Sequence, residues 1–201
     1  MIPGCGYKSI LDSNYYCEKL NLSCIKKNER IVFKTSKGDF DVQLYGENSP
    51  VTVNNFIENI KKDIYKNASF YKVINYNQVQ VIHSGIYPKS NYYKKENRNL
   101  DKIRPNIPLE IKLKKENEPK YSYQILDPSE IVNITKLFEK GSLGMVKIGE
   151  RNSSSTEFFF VTNKFPELDG RYSIFGKVVK GIEVLEKIDK KDLIYEIIIS
   201  N

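Results

Sequence analysis

Residues 153–181 read SSSTEFFFVTNKFPELDGRYSIFGKVVKG, and the fold is decided there. Phe158-Phe159-Phe160-Val161 is an apolar run too short to be a helix with a face of its own. Polar turn formers bound it, so it reads as a buried strand. Pro166 and the tight Leu168-Asp169-Gly170 turn follow, and a second strand runs from Tyr172 to Val179. Asp-Gly is a turn signal because glycine takes positive φ at no steric cost.

Working outward, Gly141-Ser142-Leu143-Gly144-Met145-Val146 reads as a strand, joined to the central stretch by a loop over Ile148–Thr156. Ile182, Val184, Leu185 and Ile188 predict a last helix, and Leu193–Ile199 a closing strand. Towards the N-terminus, Ile31-Val32-Phe33-Lys34-Thr35 is a strand, and Ser36-Lys37-Gly38-Asp39 a hairpin turn. Phe40, Val42 and Leu44 then alternate with polar residues, as in a half-buried antiparallel strand. Ser49-Pro50 predicts a helix start, with a side-chain cap and proline at the first helical position. Val53, Phe56, Ile57 and Ile60 form one apolar stripe on it, leaving Asn54, Asn55, Glu58 and Lys61 to water. Ser69–Ile74 and Val79–His83 are two further strands.

Between about 86 and 140 the chain is long, polar and rich in Lys and Pro, with one apolar island at Ile107-Pro108-Leu109-Glu110-Ile111. A second helix is expected from Pro128, capped by Asp127, with Ile131, Ile134, Leu137 and Phe138 on one face. Residues 1–29 read as an N-terminal extension, disordered apart from a helical turn near Tyr15–Leu20, and residues 30–201 as a single domain. Many short strands, hairpins and two main helices predict a mainly β, closed antiparallel barrel capped by the helices, with an inserted loop and helix section.

The chain has 201 residues and a formal net charge of +7, its basic residues interrupted by glutamates. That pattern reads as a solvated surface, so no nucleic-acid partner is expected. No apolar run approaches the ~18 residues of a membrane span. Three cysteines, Cys5, Cys17 and Cys24, precede the first confident strand, without metal-ligand spacing. A Cys17–Cys24 disulfide is open to them in an oxidising compartment. Ile2-Pro3-Gly4-Cys5 is similar to the end of a lipoprotein signal, so lipidation of Cys5 and an exported or membrane-anchored home are set against a cytoplasmic one. His83 is the single histidine, and it reads as a hydrogen-bonded strand residue. No phosphate loop or nucleophile elbow is present.

Three ordered blocks resemble the cyclophilin-type peptidyl-prolyl isomerases: Glu157–Val161, Leu168-Asp169-Gly170-Arg171-Tyr172, and Phe175-Gly176-Lys177-Val178. Ser49–Phe56 is similar to that family's opening helix, and Gly141–Val146 to its G-x-L-S-M-A strand. The resemblance covers about Ile31–Ile199, and its looser details are similar to bacterial and cyanobacterial members. It implies a barrel, no cofactor, no metal, a monomer, and proline-containing polypeptides as substrates. Phe70-Tyr71-Lys72-Val73-Ile74-Asn75 falls on the pattern F-H-R-V-I-P, which puts Lys72 where the family has its catalytic Arg. Gln80, eight residues later, matches a family Gln.

By the same carry-over Tyr71, Asn77, Gln80, Val146, Glu157, Phe159, Leu168 and Tyr172 are the substrate-binding candidates. Several depart from the pattern. Asn77 stands for the pocket Phe, Glu157 for a substrate-binding Gln, Tyr172 for a His, Val146 for an Ala and Lys147 for an Asn. Lysine keeps the charge of arginine but not its planar fork of five donors. A Lys72–Glu157 ion pair across the groove is a further expectation. The reading is therefore an isomerase with attenuated turnover. The alternative is a cyclophilin-fold module that binds proline-containing or extended segments with little turnover.

Overall fold

A computed structural model of the chain describes residues 12–23, 26–86 and 106–200. Cys5, Cys24 and much of the polar section after Gly85 lie outside these residues. Among the described residues, ten antiparallel strands form one sheet, in the order β3-β12-β1-β2-β11-β9-β10-β5-β4, where β11 is Ile174–Lys180, with β6 (Ile107–Pro108) paired to β10. The first hairpin is β1 (Arg30–Thr35) and β2 (Gly38–Leu44), and β12 (Leu193–Ser200) pairs with β1 on its other side. The sheet curls into a half-barrel, ending at β3 (Ala68–Ser69) on one side and β4 (Lys72–Tyr76) on the other. No ladder joins β3 to β4 among the described residues, so the expected closure is not shown.

The apolar run that decided the fold lies in β10 (Asn152–Val161), between β9 (Ser142–Ile148) and β5 (Val79–Ser84). Its consecutive side chains point to opposite faces of the sheet. Phe158 and Phe160 enter the barrel core, where they meet Phe33 edge-on at 6.0 and 5.5 Å between ring centroids. Phe159 and Val161 point outward into a second apolar cluster with Val79, Val81, Phe138 and Ile174. A run with no polar member is buried on both faces because this sheet is covered on both.

Helix α2 (Pro50–Lys61) closes one side of the core through Phe56, which packs on Tyr65 at 4.8 Å. Its start differs from expectation. The Ser49 side chain makes no capping bond and instead donates to the carbonyl of Ile174 at 2.9 Å. The cap comes from far along the chain. The Glu110 carboxylate accepts from the amides of Val51 (3.0 Å) and Thr52 (2.8 Å) and from the Thr52 hydroxyl (2.6 Å). A negative group there satisfies orphan amides and meets the positive end of the helix dipole. Asn54 and Asn55 are buried rather than solvated. Asn55 and Asn59 both donate to the Ser155 carbonyl at 2.7 Å, where β10 bulges away from β9. The polar side of this helix is used for packing because the β10 bulge takes the side-chain amides of Asn55 and Asn59, while Asn54 donates to the Pro50 carbonyl of its own helix.

The expected second helix shrinks to one turn, α3 (Pro128–Ile131). Asp127 does cap it, accepting from the Ser129 amide at 2.8 Å. The chain then leaves the helix because extended pairing competes for it. Ile134 bridges to Leu113, and the Thr135 amide donates to the Lys112 carbonyl at 2.9 Å. β7 (Glu110–Ile111) and β8 (Lys120–Tyr121) form a separate small sheet. Leu109, Ile111, Ile125 and Ile134 make a satellite core beneath this section. The last helix, α4 (Ile182–Leu185), is also a single turn.

Ahead of the barrel, α1 (Ser13–Lys19) is capped by Asp12, and Tyr16, Leu20 and Leu22 pack against the main core. Cys17 is buried and disulfide-bonded. The expected partner, Cys24, lies outside the described residues, as does the lipidation candidate Cys5.

Candidate active site

The sheet builds the site as a row across its outer face. Strand pairing sets Lys72 of β4 opposite His83 of β5, His83 opposite Phe159 of β10, and Phe159 opposite Gly144 of β9. Glycine at the end of the row is a packing requirement. A Cβ on Gly144 would stand 2.7 Å from the Phe159 ring and 3.0 Å from Phe138. Its absence lets Phe138 and Phe159 stack there, with centroids 5.6 Å apart and planes within 12°. Tyr172 closes on Phe159 edge-on at 5.4 Å.

Above this row lies a cavity of about 400 Å³ lined by Lys72, Ile74, Tyr76, Val81, His83, Val146, Lys147, Gly149, Phe159, Phe165, Leu168 and Tyr172. Phe159 is its buried floor. Ile74, Tyr76 and Phe165 form an apolar shelf at the rim, with Tyr76 and Phe165 rings 5.6 Å apart. The Leu168-Asp169-Gly170 turn holds Leu168 in place. Asp169 accepts from the Phe138 amide at 2.7 Å, and Ile125 donates to the Gly170 carbonyl at 2.8 Å. Gly170 sits at φ 71°, and a Cβ there would lie 2.0 Å from the Ile125 carbonyl oxygen.

Of the sequence candidates, Lys72, Val146, Phe159, Leu168 and Tyr172 come together around this cavity. Tyr71, Asn77, Gln80 and Glu157 do not line it. Asn77 occupies the hairpin turn between Tyr76 and Val79, at φ 52°, a left-handed conformation that asparagine tolerates. Gln80 pairs with Asn75, and its backbone exchanges bonds with Thr162. Tyr71 donates its phenol proton to Glu157 at 2.8 Å.

The ion pair expected between Lys72 and Glu157 is therefore replaced by a tyrosine–carboxylate bond. Glu157 is nearly buried, and burial pushes its carboxyl pKa up, with the Tyr71 bond opposing. Lys72 is exposed and has no ion-pair partner among the described residues.

His83, read from the sequence as a hydrogen-bonded strand residue and not as a site residue, lines the cavity. It stands beside Lys72, with its ring 5.6 Å from Phe159 and 6.1 Å from Tyr71. Burial, then the Lys72 charge, pushes its pKa down to about 4. It is thus a neutral imidazole near pH 7, able to donate at one nitrogen and accept at the other. A signal was present. Asn77-Gln78 as a two-residue turn fixes Tyr76 opposite Val79, and counting back then sets His83 opposite Lys72. Among the described residues, no group of three His, Cys, Asp or Glu could hold a metal ion, and no helix is long and apolar enough to cross a membrane.

Residues 30–198 match the family described as cyclophilin type peptidyl-prolyl cis-trans isomerase. The chain belongs to that family, which is one of enzymes. It is 26% identical over 163 residues to a peptidyl-prolyl cis-trans isomerase of Arabidopsis thaliana, covering 80% of this chain and 60% of that one. It is also 26% identical, over 188 residues, to a putative thylakoid lumen peptidyl-prolyl cis-trans isomerase of Synechocystis, covering 88% of this chain and 48% of that one. The chain thus spans only part of both relatives. A crystal structure of a Cryptosporidium parvum cyclophilin in the presence of the dipeptide Ala-Pro has the same fold. Its TM-score is 0.58 and its identity 22%, over 86% of this chain and 99% of that one.

Proposed function

We propose that this chain catalyses cis–trans rotation about X–Pro bonds in proline-containing polypeptides, without a cofactor and as a monomer, with Lys72 as its cationic donor. The observation that carries this is the placement of a lysine, without an ion-pair partner among the described residues, on the wall of an apolar cavity floored by a buried phenylalanine. The reaction asks for little covalent chemistry. Conjugation of the amide sets a barrier of ~18–20 kcal/mol, while cis and trans prolyl bonds are nearly balanced. A ring held between Phe159, Val146 and Leu168 fixes one side of the bond. A cation near the prolyl nitrogen stabilises the twisted state as that nitrogen becomes pyramidal, which is differential binding of the transition state. Neutral His83 beside it offers a hydrogen bond to the flanking peptide.

Turnover is attenuated, because an ammonium lacks the fork that would hold a carbonyl and the nitrogen together. The test is cis–trans exchange of a short Ala-Pro peptide by NMR. Wild type accelerates exchange, Lys72→Arg accelerates it further, and Lys72→Ala loses at least tenfold. Equal rates for wild type and Lys72→Ala remove Lys72 from the chemistry. The second reading, a binding module, is favoured by the engagement of Glu157 with Tyr71, which takes one polar group away from a substrate. Peptide shifts on titration with no acceleration would select it. The Cys17 disulfide and the thylakoid-lumen relative support an exported location in an oxidising compartment.

A further inference from the structure

The cavity is bordered by cations and by no acid. Some lysines elsewhere are matched by carboxylates, as Lys34 is by Asp39 at 2.5 Å and Lys177 by Glu139 at 2.6 Å. Lys72 and Lys147 border the cavity, and neither forms an ion pair among the described residues. No aspartate or glutamate lines it. Glu157 is turned into its bond with Tyr71, and at the rim Glu167 and Lys164, both exposed on either side of Phe165 and Pro166, offset each other.

Lys147 is held in position rather than free to swing. Its ammonium donates to the Gln124 side-chain oxygen at 3.1 Å and lies 5.3 Å from the centre of the Tyr172 ring. Lys72 is fixed through β4, on the far side of β5 and β10 from β9. Three strand spacings of about 4.8 Å lead from Lys72 to Gly144, and Lys147 lies three residues of about 3.3 Å further along β9, so the two backbone anchors are roughly 17 Å apart. At about 3.3 Å per residue, about five residues of an extended chain bridge the gap.

We propose that the site selects proline segments with an anionic side chain, carboxylate or phosphate, within two residues of the proline. The inference rests on the isomerase reading of the same cavity and names its substrate class. The prolyl ring occupies the apolar floor while the acidic neighbour meets Lys72 or Lys147 at the wall. An unpaired cation about 7 Å from such a group, in a largely aqueous setting, favours it roughly threefold, and two cations approach tenfold. The effect is screened once the Debye length falls to a few ångströms.

The experiment measures kcat/KM by NMR exchange for four peptides that differ only in the residue before proline: alanine, glutamate, phosphoserine and lysine. At low salt the glutamate peptide is expected to be turned over three- to tenfold faster than the alanine peptide, and the lysine peptide more slowly than either. Salt near 1 M brings the four within twofold, and Lys147→Gln lowers the glutamate-to-alanine ratio. A gain for phosphoserine alone assigns the site to phosphorylated segments, and equal gains assign it to acidic ones. All four peptides turned over within twofold of one another at low salt overturn the proposal while leaving the isomerase reading intact. Turnover of none of the four overturns the isomerase reading instead.

Discussion

Replacing Glu110 by alanine should unseat α2. The side chain is fully buried and is the acceptor for two backbone amides and one hydroxyl. Alanine leaves those donors in a cavity without partners. Each buried orphan costs about 1–3 kcal/mol, and loss of a helix cap alone costs about 1 kcal/mol. Allowing for water entering the space, the expected loss is about 3–5 kcal/mol, a large part of the ~5–15 kcal/mol that holds a domain. For a chain of this size each kcal/mol moves the melting temperature by about 2–4 °C. A fall of roughly 6–20 °C is therefore expected, read by thermal denaturation at pH 7. α2 packs on the core side of the sheet and the cavity lies on the outer side. Activity per folded molecule at low temperature should then stay within about twofold of wild type. A melting temperature within 2 °C of wild type would refute the assignment of Glu110 as the cap.

Two further outcomes concern pH and packing. Burial holds the Glu110 pKa up at about 7, with the Thr52 and Val51 donors opposing. The folded state therefore binds more protons than the unfolded one between pH 4.5 and 7, and this group's contribution to stability is lost as pH rises through that window. His83, pushed down to about 4 from 6.5, works the other way: the unfolded state binds the extra proton, and stability is lost as pH falls from 6.5 towards 4. Each slope amounts to about 3 kcal/mol, so they nearly cancel in the wild type. Urea midpoints should rise with pH from 4.5 to 6.5 in Glu110→Gln and fall over the same range in His83→Gln; parallel profiles for the two variants would sink this account. Gly144→Ala pushes a methyl group into Phe138 and Phe159. It should cost about 1–3 kcal/mol and lower kcat/KM by displacing the cavity floor, whereas unchanged kinetics would mean that Phe159 does not hold the substrate.

The sequence determined the parts that local chemistry encodes. Strand alternation around Phe40, the Asp169-Gly170 turn, the Pro50 helix start and the apolar run at Phe158–Val161 each carry their conformation within a few residues. These gave the mainly β architecture and the family, and with them Lys72, Phe159, Leu168, Val146 and Tyr172 at one cavity. What tertiary structure decided was every relation across long sequence distance. Periodicity tells which face a strand residue takes but not which residue it meets. The pairing of β5 with β10 set His83 opposite Phe159, 76 residues on, and so brought it to the cavity. Tyr71 claimed Glu157, 86 residues away, before any lysine could. An acid hidden in an apolar island, Glu110, took over the cap expected of Ser49 because a folded layer brought it within 3.0 Å of the first helical amides. The helix expected through Phe138 stopped after one turn because Leu113 and Lys112 offered Ile134 and Thr135 an extended partner. Burial makes such pairings decisive: a polar group removed from water must take the partner that the fold supplies, and local sequence does not name it.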